Sequence, residues 1–263
     1  MTAEVTAIVT CMTDAERPFL REALQSVSDQ TLPCEAIVVA LESNTWIDDI
    51  VAEFPEVRLV RRPPGWEGAA RHTGIDAART EFVAFLDSDD VWLPTKTEKQ
   101  VDVLRERAGD LAGVDHILMT EEGEPFAYGL ACYEAMPSSW MVRRETMLRY
   151  PLDPDVPMSV DWQWWVSTWE TVRKVRLPEP LIKYRVRRQS LSTPIARKRL
   201  KLALANLSGL SIVRPLLLAA TYALYRFYRS PVYLTPKALA GAKNHRDWID
   251  QAVHLFAGRQ DRG

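Results

Sequence analysis

Residues 68–92, GAARHTGIDAARTEFVAFLDSDDVW, decide the fold. A helix-period segment, Trp66 to Ala78, runs into a wholly apolar strand, Phe82 to Leu86, which delivers Asp87-Ser88-Asp89-Asp90 to a turn. Upstream the same rhythm repeats. Val5 to Cys11 reads as a strand and Glu16 to Gln30 as a helix with Pro18 in its first turn. Phe19, Leu20, Ala23, Leu24 and Val27 form the apolar face of that helix. Ala36 to Leu41 is a second strand, Thr45 to Phe54 a helix and Val57 to Val60 a third strand. The alternation implies an α/β fold with a doubly wound parallel sheet. Ligands of such sheets sit beyond the carboxyl ends of the strands, where Asp87 to Asp90 fall.

Downstream the rhythm changes. Thr95 to Arg107 reads as a helix, Val114 to Thr120 as a strand, Glu121 to Pro125 as a turn and Ser139 to Val142 as a strand. Asp161 to Val172 is a Trp-rich helix and Leu181 to Val186 a short strand. After Thr193-Pro194 the strand signal ends, which puts a boundary there: residues 1–193 form one unit, with halves at about 1–95 and 96–193, and 194–263 a helical C-terminal extension.

The 263 residues are 47% hydrophobic and 26% charged, which excludes collagen-like, low-complexity and wholly disordered chains. Three cysteines, Cys11, Cys34 and Cys132, lack C-x-x-C spacing, so neither a disulfide framework nor a thiolate zinc site is expected. The opening MTAEVTAIVTCM has no basic n-region, and Leu204 to Tyr225 is interrupted by Asn206, Arg214 and Pro215; the expected location is cytoplasmic. The net charge of −2 hides an asymmetry. From Arg173 to Arg229 the basic residues are opposed by Glu179 alone, so this region should attract phosphates or acidic lipid headgroups, while overall acidity argues against nucleic acid.

Asp87 and Asp89 alternate across the turn, so one carboxylate can face a ribose and the other a hard divalent cation. Oxygen-only ligation favours Mg²⁺ or Mn²⁺. Asp161, at the start of its helix, can keep its side chain at a cleft or simply cap the helix. Helical spacing puts Trp162, Trp165, Trp169 and Val172 on a core-facing stripe, which leaves Trp164 as the candidate for stacking on a sugar.

The chain resembles the inverting family 2 glycosyltransferases of GT-A fold. The resemblance is carried in order by VTAIVTCM, FLREALQSVSDQTLPCEAIVV, GAARHTGIDAARTEFVAFLDSDDVWLPTKTEKQ, SVDWQWW, and PEPLIKYRV with SLS, over about residues 5–192. It implies a Rossmann-like, mostly parallel sheet flanked by helices, with a nucleotide-binding half at 1–95 and an acceptor-binding half at 96–193. It also implies a nucleotide-sugar donor, a divalent metal, and a glycan or lipid-linked acceptor. Asp87 resembles the family's ribose-contacting carboxylate, Asp89 its metal ligand, Asp161 its general base, and Arg71 an arginine near the nucleotide. The sequence departs from the pattern at Ala40 and Leu41, where a base-contacting carboxylate is usual and Glu42, Ser43 or Asn44 would have to substitute. Val160 replaces the Glu of a Glu-Asp pair. Arg187 replaces a histidine, and a guanidinium clamps phosphate but cannot ligate metal.

The resemblance implies sugar transfer with inversion. A nucleotidyltransferase is one alternative, disfavoured by the lack of a Gly-rich basic loop after the first strand; a non-catalytic nucleotide-binding scaffold is the other. The helices after Pro194 pair basic residues Arg197 to Lys201 and Arg226 with apolar and aromatic neighbours. They are expected to dock on an anionic membrane surface, with packing on the catalytic domain or on a second copy in a homo-oligomer as the alternative.

Overall fold

The computed structural model describes residues 3–129, 136–157 and 160–187. Cys132, Arg188, the boundary expected at 193 and the extension expected over 194–263, with the stripes expected to dock on a membrane, lie outside the described residues. No helix among the described residues is long and apolar enough to cross a membrane.

Nine strands among the described residues form one sheet: β1 (Val5–Cys11), β2 (Glu35–Leu41), β3 (Val57–Arg62), β4 (Phe82–Asp87), β5 (Val91–Trp92), β6 (Leu111–Met119), β7 (Pro125–Gly129), β8 (Trp140–Arg143) and β9 (Lys174–Arg185). Their order is β3-β2-β1-β4-β8-β6-β9-β5, with β7 on β6. The first four are mutually parallel, as the βα alternation requires. Beyond β4 the sheet is mixed: β8 is antiparallel to β4 and to β6, while β9 runs parallel to β6. Among the described residues six α-helices accompany it: α1 (Leu20–Ser28), α2 (Ile47–Val51), α3 (Glu67–Ala77), α4 (Lys96–Glu106), α5 (Arg144–Arg149) and α6 (Val160–Ser167).

β1 is buried at every position because helices cover both faces of a parallel sheet. The strand's period of two divides the core. Val5, Ala7, Val9 and Cys11 pack with Leu20 and Leu24 of α1 on one face. Ile8 packs with Ile75 of α3 and with Phe85, Trp140 and Trp164 on the other. Gly74 permits this second layer, since a Cβ there would stand 2.3 Å from Ile8 Cγ2.

Several elements differ from their sequence reading. α1 starts at Leu20, not Glu16, because residues Asp14–Glu16 form a separate 3-10 turn. The Glu16 carboxylate closes that turn by accepting the Met12 and Thr13 N–H groups at 2.6 and 3.0 Å. β9 begins at Lys174, and its pairing with β6 shifts register where Pro178 and Pro180 interrupt the ladder. α6 stops at Ser167, because the Ser167 and Thr168 hydroxyls donate to the Trp164 carbonyl and compete with helix continuation.

The stripe on α6 is a correction. Val160 and Trp164 are its buried residues, whereas Trp169 is 50% exposed. Trp164, expected as a sugar platform, is core: its Nε1 donates to the Tyr150 carbonyl at 2.6 Å and its ring lies 5.4 Å from Trp140. The sequence stripe pointed the wrong way because it counted Trp169 and Val172, which lie beyond the end of α6, and because Trp162, Trp164 and Trp165 crowd one turn of the helix. The decisive partner, the Tyr150 carbonyl, is remote in sequence.

Candidate functional site

The site forms where the carboxyl ends of β1 and β4 lie side by side, with Thr10 opposite Asp87. Asp87 is fixed from three sides. Its N–H donates to Ser138 Oγ at 3.0 Å, its Oδ1 accepts from Arg71 Nη2 at 2.8 Å, and Thr10 Oγ1 approaches it at 3.5 Å. Arg71, on α3, is 1% exposed and also pairs with Glu67 one turn earlier. Its Nε and Nη1 are buried with no hydrogen-bond partner among the described residues. Such donors are costly to leave unmet, which marks them as open to a ligand.

Asp161 opens α6 and lies within electrostatic reach of Glu67 and Arg71. Gly68 explains the approach of the two helices: a Cβ there would stand 2.6 Å from the Asp153 carbonyl oxygen and 3.1 Å from Val160 Cγ2. The start of α3 therefore touches the start of α6. Loss of water, together with the charges of Asp87 and Asp161, pushes the Glu67 carboxyl up to about 7 against the pull of Arg71.

Beyond Asp87 the chain turns, with Asp90 N–H donating to the Asp87 carbonyl at 2.9 Å, and enters β5. Two-residue β5 pairs with β9, Val91 opposite Lys183, and this pairing carries the end of β9 back over the turn. Arg185 locks the arrangement. Its N–H donates to Asp90 Oδ1 at 2.9 Å, its Nε to the Asp89 carbonyl at 2.9 Å, and its Nη2 to Glu22 on α1 at 2.5 Å. Asp90, fully enclosed, has its carboxyl raised well above the usual range by burial and by Asp89 and Asp87. Arg187 follows: its Nε lies 2.6 Å from Asp89 Oδ2, and its Nη1 donates to the Ala15 carbonyl at 3.2 Å. Burial and Asp87 raise the Asp89 carboxyl to about 6 although Arg187 opposes the shift.

The structure thus brings together Asp87, Arg71 and Asp161 in one charged cluster and Asp89 with Arg187 in an adjoining one. Glu42 stands apart, exposed at the end of β2, where its N–H donates to the Arg62 carbonyl. Near it, Asn44 Nδ2 and Arg62 Nε and Nη1 are buried donors without partners among the described residues. Sequence reasoning missed Glu67, Arg185 and Arg62. Glu67 carried a usable signal, since Glu and Arg four apart on one helix pair readily; Arg185 and Arg62 carried none, because their partners come from other elements. Among the described residues no group of three His, Cys, Asp or Glu side chains converges to hold a metal unaided.

The description of Glycosyl transferase family 2 matches residues 6–157. The chain belongs to that family. Succinoglycan biosynthesis protein ExoW of Rhizobium meliloti (strain 1021) is 45% identical over 87 residues, covering 30% of this chain and 27% of that protein. Putative teichuronic acid biosynthesis glycosyltransferase TuaG of Bacillus subtilis (strain 168) is 30% identical over 115 residues, 41% of this chain and 46% of that protein. The matched segments thus span less than half of either relative. In fold, this family 2 chain is similar to S. aureus TarS in complex with UDP-GlcNAc, with a TM-score of 0.67 and 17% identity over 94% of this chain and 79% of that one. It is also similar to the mannosyltransferase PcManGT of Pyrobaculum calidifontis in complex with GDP-Man and Mn²⁺, with a TM-score of 0.61 and 17% identity over 97% and 85% of the two chains. The fold is α/β of GT-A type.

Proposed function

We propose that this family 2 chain transfers a sugar from a nucleotide-diphosphate donor to a hydroxyl acceptor with inversion. The observation that carries the reading is the convergence of Asp87, Arg71, Glu67 and Asp161 beside the Asp89–Arg187 pair, at the carboxyl end of a parallel sheet. Asp87 accepts hydrogen bonds from the donor ribose. The buried, unpartnered nitrogens of Arg71 donate to the nucleotide, while Asn44 and Arg62 offer donors to base carbonyls near Glu42.

In the transfer, the acceptor oxygen attacks the anomeric carbon as the bond from that carbon to the diphosphate oxygen breaks. Asp161 takes the acceptor hydroxyl proton, and the electron pair leaves with the diphosphate. Arg187 binds the departing charge. A hard divalent cation suits the Asp89 carboxylate, since Mg²⁺ or Mn²⁺ is commonly held by one or two protein carboxylates plus substrate phosphates, and it would supply charge neutralisation at the diphosphate. The nucleotidyltransferase alternative fares worse: the N–H groups after β1 that a phosphate cradle would need are taken by the Glu16 carboxylate.

Thermal shift with UDP-, GDP- and dTDP-sugars, with and without Mn²⁺, followed by a donor-hydrolysis assay, tests the reading. Stabilisation by a nucleotide sugar with turnover is expected. Binding without any turnover to water or to acceptors would assign a scaffold role instead. Docking of the segment after Pro194 on anionic liposomes, tested by sedimentation at low and high salt, would place transfer near a lipid-linked acceptor.

A further inference from the structure

We infer that Trp66 and Glu67, at the entrance of α3, form a pyranose-binding subsite for the acceptor, with the Trp66 indole stacked on the sugar ring and the Glu67 carboxylate accepting from its hydroxyls. The inference rests on the transferase reading and adds the chemical class of the acceptor.

Trp66 is the N-cap residue of α3, where the free backbone N–H groups of a helix call for Ser, Thr, Asp or Asn. The indole makes no capping hydrogen bond and is 52% exposed, the largest exposure among the big apolar side chains described. Neither core packing nor capping accounts for a tryptophan there. The next residue, Glu67, belongs to the charged cluster of the site through Arg71 and feels both Asp87 and Asp161. Gly68 then seats the helix start against Asp153 and Val160, next to the proposed base. An exposed π-face and a carboxylate thus stand on successive residues at the Asp161 edge of the site.

That pairing matches a pyranose, whose C–H face packs on an aromatic ring while its rim of hydroxyls donates to carboxylates. Glu67 retains acceptor capacity, since Arg71 donates to one of its oxygens and a carboxylate offers about four acceptor sites. The position favours the acceptor over the donor. Asp89 with Arg187 defines the diphosphate side, whereas Glu67 feels Asp161 and the next residue, Gly68, lies against Val160 of α6, from which the acceptor proton is removed.

The test uses the full chain and two readouts. Saturation-transfer NMR on methyl glucoside, methyl mannoside and methyl N-acetylglucosaminide should show signal with the wild type that Trp66→Ala removes and Trp66→Phe restores. In steady-state assays Trp66→Ala should raise the KM of a pyranoside acceptor about 3- to 10-fold while donor affinity and donor hydrolysis stay at wild-type values. Glu67→Gln should raise the same KM. Undiminished saturation transfer in Trp66→Ala, or an unchanged acceptor KM, would overturn the subsite. Wild-type protein that turns over no nucleotide sugar would instead overturn the transferase reading, and the NMR comparison would still decide whether Trp66 binds sugar.

Discussion

The guanidinium of Arg187 stands 2.6 Å from Asp89 Oδ2, both side chains being largely enclosed, at 13% and 14% exposure. A cation is thus already supplied to the carboxylate proposed to meet the metal. The pair links the end of β9 to the turn after β4, so the two halves of the sheet meet at the site through opposite charges. In such a partly dry position each charge leans on the other.

Arg187→Ala should therefore act in two directions. Loss of a charge-assisted contact to the diphosphate should weaken donor binding about 10- to 100-fold. Mn²⁺ alone should bind more tightly, since no guanidinium competes for Asp89. Calorimetry with UDP-sugar, GDP-sugar and Mn²⁺ separately measures both. Unaltered donor and metal affinities together would leave Arg187 a merely structural link.

Asp161→Asn should preserve donor affinity and fold while lowering transfer about 10²- to 10⁴-fold, the usual worth of a general base. Single-turnover transfer at saturating donor is the measurement. A variant with full transfer but a lower melting temperature would show that Asp161 serves only the helix dipole, from the first turn of α6.

The parallel strands were legible because burial on both faces leaves an apolar run with sharp ends. β1 was read to its last residue, and β2 and β4 to within one. β5 has two residues and takes its identity from pairing with β9, so no local signal existed for it. The placement of Arg187 over Asp89 depends on that pairing. Arg187 was thus legible as a basic residue after YR but not as the partner of Asp89. Asp87 and Asp89 were readable because a strand end positions them directly. Trp164 was misread because its burial is settled by contacts with Trp140 and Tyr150, which a local stripe does not encode.

Arg71→Met should destabilise the protein by about 3 kcal/mol at neutral pH, at the lower end of the range for breaking a buried pair. The lower end applies because Glu67 and Asp87 keep 42% and 27% exposure. Without the guanidinium nothing opposes the burial and the neighbouring charges that already hold the Glu67 carboxyl at about 7, so its folded pKa rises further above the unfolded one. The resulting loss is full above that folded pKa and shrinks as pH falls toward the unfolded carboxylate pKa. Urea unfolding at pH 8 and pH 5 should show the larger difference at pH 8. Equal differences would place the effect of Arg71 in packing.

Lys96→Met should stabilise the protein, and by more at neutral than at alkaline pH. Lys96 is fully buried at the start of α4, and its Nζ has no hydrogen-bond partner among the described residues. The ammonium sits 4.0 Å from the Trp92 ring centroid, a cation–π contact that offsets part of its lost hydration. Burial still lowers its pKa to about 7. Between that value and the ordinary lysine pKa the unfolded chain holds a proton that the folded one lacks, so stability rises with pH across this window. The handicap of Lys96 is therefore full below pH 7 and gone near the unfolded pKa; it amounts to at most about 5 kcal/mol. Methionine removes the charge at similar length and keeps contact with the indole. Melting temperatures of wild type and variant should differ most at pH 6 to 7 and converge toward pH 10. A variant less stable than wild type at every pH would show instead that the ammonium–indole contact outweighs the cost of burying the charge.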